Sequence, residues 1–254
     1  MNSDDFKKAA QNPNLISGVY NYCNRWCEKC NFTKRCMLAS FENANNQKDE
    51  ENIFQGIKKS FDVAIELLNE WAEKEGVDLD YIAEHAADDD FEKSYEEIKT
   101  HPLSEVSMKY AEMLNLFLKT YSDQLLAEQE DLINQVKRQV LPTNVLEQDE
   151  NFKNALAIVR WYHIQIHAKL VAAVSGIEFD PTYEDEIQNH GNGSAKVALL
   201  GTEESIGAMG VLLQSFPEYQ DEILPILAQL ERIRNSIKHY FPKVEQFKRP
   251  GFDD

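Results

Sequence analysis

Apolar residues recur along this chain at intervals of three and four, the spacing that stacks side chains on one face of an α-helix. The first such run predicts a helix from about Leu15 to Cys30, with Val19, Cys23, Cys27 and Cys30 on one face. Asn31-Phe32-Thr33 reads as a turn, Thr33 as a cap for a short helix through Phe41, and the polar run 43–49 as a loop. A clear amphipathic helix follows. Its stripe is Ile53, Ile57, Phe61, Ile65, Leu68 and Trp71-Ala72, and Gly76 is its stop. One or two short acidic helices fill 78–100, and Asp88-Asp89-Asp90 opens the second, because carboxylates favour helix N-termini.

Pro102 starts the longest predicted helix, which runs to about Val140 through Val106, Tyr110, Met113, Phe117, Tyr121, Leu125, Leu132 and Val136. Pro142 closes it. The next helix spans roughly 149–175, with Phe152, Leu156, Val159, His163, Ile166 and Leu170 on one side and Gly176 as its end. Residues 177–193 form the longest irregular stretch, of a length that in compact domains is often functional. Ser194 is read as the cap of a helix to about Phe216, along which Ala198, Gly201, Ser205 and Ala208 form a seam of small residues that lets a neighbour approach closely. Pro217 breaks the chain, and a last helix reaches Tyr240 through Ile223, Leu227, Leu230, Ile233 and Ile237.

No period-2 alternation, repeat or heptad array accompanies these stripes. The expected fold is all-α: a multi-helix bundle with a short Cys-rich N-terminal helical segment. Residues 1–45 would form the metal-binding segment and 46–254 the bundle, the two packing as one compact domain. Composition agrees. With only 10 glycines and 8 prolines in 254 residues, the chain lacks the turn residues of an all-β fold and the strand–helix glycines of an α/β fold.

Charge narrows the partners. A net charge of −18 and a pI near 4.7 repel phosphate backbones, which disfavours a nucleic-acid partner. The residues after Met1 contain no apolar signal run, and no uncharged stretch reaches membrane-spanning length. The expected location is therefore a reducing cytoplasm with no membrane partner. The bundle is left to bind a small molecule or protein. In that compartment, clustered cysteines read as metal ligands rather than disulfides.

All four cysteines lie in one run, Tyr22-Cys23-Asn24-Arg25-Trp26-Cys27-Glu28-Lys29-Cys30 followed by Phe32-Thr33-Lys34-Arg35-Cys36. The pattern is C-x3-C-x2-C-x5-C. On a helix, Cys23, Cys27 and Cys30 would aim their sulfurs one way, and a turn would bring Cys36 back as the fourth. Arg25, Lys29, Lys34 and Arg35 would offset the charge of a tetrathiolate. Two metal centres fit. Four cysteines in one compact run suit an iron–sulfur cluster. Zinc sites usually split their ligands into separated pairs, but compact zinc knuckles keep zinc open. The alternative without a metal is four free thiols serving as small core residues.

These residues carry resemblances. The first three cysteines resemble the cluster triad of radical SAM enzymes, although the barrel of those enzymes has no counterpart in the pattern. The last three resemble the C-x2-C-x5-C part of SPASM-type auxiliary cluster domains. Both resemblances imply an iron–sulfur cofactor. The cysteine run, together with Gly193-Ser194-Ala195-Lys196-Val197-Ala198-Leu199 and Phe247-Lys248-Arg249-Pro250-Gly251-Phe252-Asp253, also resembles a group of bacterial proteins with no established activity.

Three weaker patterns remain. His163 and His167 lie one helical turn apart, a spacing that suits two ligands of one metal and would make the bundle a metal-dependent enzyme. Glu66, Glu112 and Glu204 are the nearest carboxylate donors by stripe position, but the Glu-x-x-His pairs of bundle metal sites are missing. The run His190–Lys196 places glycines, a hydroxyl and a lysine at a helix start, where backbone N–H groups attract anions; the Walker spacing is absent. Arg234 and His239 stand in an R-x4-H arrangement that resembles HEPN-type ribonucleases. That resemblance implies a phosphate holder at Arg234 and an acid–base group at His239.

Overall fold

The computed structural model describes residues 7–8, 11–44, 50–85, 95–138, 144–177 and 185–253. Among them there are seven α-helices with defined bounds and no strand. The all-α expectation holds. They are α1 (Met37–Ala44), α2 (Glu50–Glu75), α3 (Leu79–His85), α4 (Pro102–Lys137), α5 (Asn144–Ser175), α6 (His190–Ser215) and α7 (Gln220–Tyr240). Single 3₁₀ turns stand at Cys27–Lys29, Thr33–Arg35, Pro217–Tyr219 and Val244–Gln246. The chain divides into two compact units, one of Met1–Ser94 with Arg249–Asp254 and the other of Tyr95–Lys248. No helix among the described residues is long and apolar enough to cross a membrane.

The second unit is a four-helix bundle. α5 lies along α6, α4 packs on α5, and α7 closes the ring against both α6 and α4. The stripes read from spacing point inward: Tyr110, Phe117 and Leu125 of α4, Phe152, Leu156, Val159, Ile166 and Leu170 of α5, and Ile223, Leu230, Ile233 and Ile237 of α7 are buried in one core, which Leu114 of α4 joins. Pro102 occupies the first turn of α4, where its missing N–H costs nothing, and His101 Nδ1 caps the helix by accepting from the Leu103 N–H at 3.2 Å. The small-residue seam of α6 works as read. Ala198, Gly201, Ser205 and Ala208 are all buried, and Gly201 lies against the ring of Tyr162.

α6 begins earlier than its expected cap. Asn189, not Ser194, is the N-cap, and its Oδ1 accepts from the Asn192 N–H at 2.8 Å. Ser194 is buried inside the first turns. The early start is possible because residue 191 is glycine. A Cβ there would stand 2.3 Å from the Gly176 carbonyl oxygen, so the end of α5 and the start of α6 meet backbone to backbone. Two readings, Asp88-Asp89-Asp90 as a helix start and Pro142 as a helix end, lie outside the described residues.

The first unit departs further from its expected shape. No helix spans Leu15 to Cys30; the segment is a series of turns and one 3₁₀ turn. Two residues inside it adopt left-handed backbone, Gly18 at φ 72° and Arg25 at φ 58°, and neither fits a right-handed helix. In α2, Val63 and Ala72 are buried, whereas Phe61, Ile65, Leu68 and Trp71 are 65%, 55%, 49% and 50% exposed. Phe61, Ile65, Leu68 and Trp71 of the stripe read from periodicity therefore face outward, and of its described members Ala72 alone is buried. The side chains of Ile53 and Ile57 lie outside the described residues.

Candidate metal centre

The cysteines sit on two successive loops rather than on a helix face. Cys27 opens the 3₁₀ turn Cys27–Lys29 and Cys30 follows it; Cys36 follows the second turn, Thr33–Arg35, and leads into α1. The chain reverses between Cys23 and Cys27 through Arg25, the one non-glycine residue at positive φ among the described residues. Asn24 Oδ1 accepts from the Trp26 N–H at 3.2 Å, and the Cys27 N–H donates to the Arg25 carbonyl at 3.0 Å, which together fix that reversal.

This route brings all four cysteines to the wall of one small cavity, whose lining also includes Val19, Arg25, Trp26, Phe32 and Phe252. Its volume is about 20 Å³, room for roughly one atom-sized occupant. None of the four is in a disulfide, and each is half-buried. Cys23 and Cys30 make polar contacts with backbone. The Cys23 thiol donates toward the Tyr20 carbonyl at 3.6 Å, and Cys30 Sγ accepts from the Phe32 N–H at 3.4 Å. Among the described residues, no group of three or more His, Cys, Asp or Glu stands at the spacing that would hold a metal ion. A shared ion therefore requires the four thiols to draw closer together than they stand in this structure.

The four nearby cations divide their work. Arg25 lines the cavity. Lys29 Nζ lies 4.0 Å from the centre of the Trp26 ring, a cation–π contact on a residue that is itself a cavity wall. Arg35 braces the loop: its Nε donates to the Asn14 carbonyl at 3.2 Å and its own carbonyl accepts from the Ile16 N–H at 2.9 Å. Lys34 is exposed.

A further participant had no signal in the cysteine spacing. Phe252, far along the chain, lines the same cavity and meets Phe32 edge-on, with ring centroids 4.9 Å apart. The only hint in the sequence was that Phe247–Asp253 carried one of the resemblances noted above.

The other candidate residues are engaged elsewhere. His163 Nδ1 is 2.7 Å from the Arg160 carbonyl of its own helix, while His167 Nδ1 is 2.9 Å from Ser107 Oγ on α4. Burial lowers the His167 pKa, and a hydrogen bond to the Ser104 backbone works against that shift. Glu112 and Glu204 are exposed, and Glu66 belongs to the other unit. At the start of α6, a cavity of about 140 Å³ is lined by Asn189, Asn192 and Lys243 among others. Both asparagines already donate to backbone carbonyls, Lys243 pairs with Glu186, and Lys196 Nζ donates to the Glu245 carbonyl at 3.0 Å. Arg234 donates to Glu231 at 2.5 Å, and His239 stacks edge-on with Tyr240 at 4.9 Å. No protein-family model, curated protein or solved structure matches this chain.

Proposed function

We propose that this chain is a metal-binding helical protein whose ligands are Cys23, Cys27, Cys30 and Cys36. What supports the reading is one observation: four cysteines, none in a disulfide, line a single small cavity built from two short loops. Thiolates suit zinc and iron–sulfur clusters above other metals. A single zinc ion, smaller than an iron–sulfur core, needs the smaller rearrangement of the loops around a cavity of about 20 Å³. Arg25 and Lys29 supply positive charge beside a site that four thiolates would make doubly negative around zinc.

Such a centre would serve a structural, redox or sensory role in a reducing compartment such as the cytoplasm, with the helical bundle carrying contacts to a small molecule or protein. The test is elemental. Purification under anaerobic conditions, followed by zinc, iron and acid-labile sulfide measurement, is expected to give about one zinc per chain. The Cys30→Ser variant should bind it far more weakly. A chain purified this way with neither zinc nor iron, and taking up neither on addition, refutes the proposal.

A further inference from the structure

Arg249–Asp253 contains no cysteine, yet it is built onto the cysteine cavity with more specific contacts than a passing loop needs. The Asp253 carboxylate accepts from the Arg249 backbone N–H at 3.0 Å, from its Nε at 3.0 Å and from its Nη2 at 2.9 Å. Both side chains are well covered, at 17% and 25% exposure. The Arg249 guanidinium lies 4.8 Å from the centre of the Phe252 ring. Phe252 in turn meets Phe32, whose N–H donates to Cys30 Sγ. Between them, Gly251 takes φ 77°, and a Cβ there would stand 3.0 Å from Ile16 Cδ1 and 3.6 Å from Val19 Cγ2. The backbone is thus pressed onto the cavity wall in a conformation that glycine alone adopts cheaply.

We infer that this hook is a working part of the cysteine site: Phe252 is its cover, and the Arg249–Asp253 clamp holds the cover down. The inference rests on the proposed metal reading. A metal leaves a tetrathiolate site when an incoming ligand reaches it and takes the place of a thiolate. An aromatic wall over the sulfurs blocks that approach, and it also keeps water from the bound ion. The coupling runs both ways. If a closed hook favours bound metal, bound metal favours a closed hook by the same factor.

The experiment uses the full chain loaded with zinc and mixed with excess chromophoric chelator, reading the rate of zinc transfer. Phe252→Ala removes the cover, Asp253→Asn loosens the clamp without changing the cavity lining, and Leu224→Ala, at an exposed position of the bundle, is the control. Both hook variants are expected to bind zinc at the parent stoichiometry but release it about 10- to 100-fold faster, the usual effect of removing an outer-shell support. Hydrogen exchange provides the second readout: amides of Arg249–Asp253 should lose protection in parent protein stripped of zinc. Full zinc occupancy with parent release rates in both variants, or hook protection indifferent to zinc, overturns the hook's role and leaves the four-cysteine site standing. A chain that binds no metal overturns both.

Discussion

Two glycines six residues apart on α6 should respond to the same substitution with opposite signs. Gly201 faces α5, and a Cβ built there would lie 2.6 and 2.8 Å from Cδ1 and Cε1 of Tyr162 and 3.4 Å from Ile166 Cγ1. Carbon atoms prefer roughly 3.5–4.0 Å, so the added methyl overlaps the ring by about an ångström. Tyr162 is only 2% exposed and has nowhere to swing, so the strain belongs at the upper end of the overpacking range, about 3 kcal/mol. Alanine returns about 1 kcal/mol of helix propensity, leaving Gly201→Ala destabilised by about 2 kcal/mol. Gly207 has nothing within 4 Å of its would-be Cβ. Gly207→Ala therefore keeps only the propensity gain, about 0.5–1 kcal/mol of added stability. Urea unfolding followed by circular dichroism measures both, and a loss of about 2 kcal/mol moves the midpoint down by about 1 M. A double-mutant cycle tests the cause: with Tyr162→Ala in the background, Gly201→Ala should lose most of its cost. Should Gly201→Ala be as stable as the parent, or should the cycle show no coupling, the close α5–α6 approach described above is wrong.

Gly191→Ala should be worse still, because its Cβ would meet the Gly176 carbonyl at 2.3 Å and backbone cannot step aside; a destabilisation above about 3 kcal/mol in the same assay is expected. His167 is held below its ordinary pKa near 6.5 by burial, so its contribution to stability is present at neutral pH. It declines below about pH 6.5, where the unfolded chain takes up the proton first. His167→Gln should flatten the change in urea midpoint between about pH 7.5 and 5.5, and a slope unaltered by the variant removes His167 as its source. Ile65→Ser, at a position 55% exposed, should shift stability by less than about 0.5 kcal/mol, whereas burial as the central residue of the α2 stripe would make it cost several times more.

The bundle was legible because its stripes have somewhere to go. Tyr110, Phe117, Leu156, Val159, Ile233 and Ile237 recur at helical spacing and are buried where three neighbouring helices complete the core. The α2 stripe obeys the same periodicity, yet Phe61, Ile65 and Leu68 face outward. Spacing tells which residues share a face of a helix, but the neighbours decide which face is covered. The cap of α6 was misplaced for a related reason. Ser194 and Asn189 are both good capping residues, and the choice between them depends on Gly191 meeting Gly176, a contact between two helices that no local pattern contains.

At the cysteine site, residue identity and location were readable while geometry was not. Helical spacing at Cys23, Cys27 and Cys30 predicted three successive turns of one helix, but Gly18 and Arg25 turn the chain left-handed within it. Glycine is a visible warning of that. Arginine is not, because left-handed backbone costs a residue with a Cβ about 1–2 kcal/mol, a strain that the surrounding structure has to hold in place. The four thiols still reach one cavity, now from two loops, and the loops leave a gap that Phe252 fills from 216 positions beyond Cys36, the difference of their residue numbers. That strain makes a last prediction. Arg25→Gly removes the backbone penalty and, if shape alone mattered, would stabilise the loop by about 1 kcal/mol with zinc affinity unchanged or improved. Because Arg25 is also one of the residues lining the cavity and carries a positive charge there, Arg25→Gly should instead weaken zinc binding relative to Arg25→Lys, which keeps the charge and the Cβ. Competition titration with a chromophoric chelator reads the difference directly, and equal affinity in the two variants would show that position 25 acts through its backbone alone.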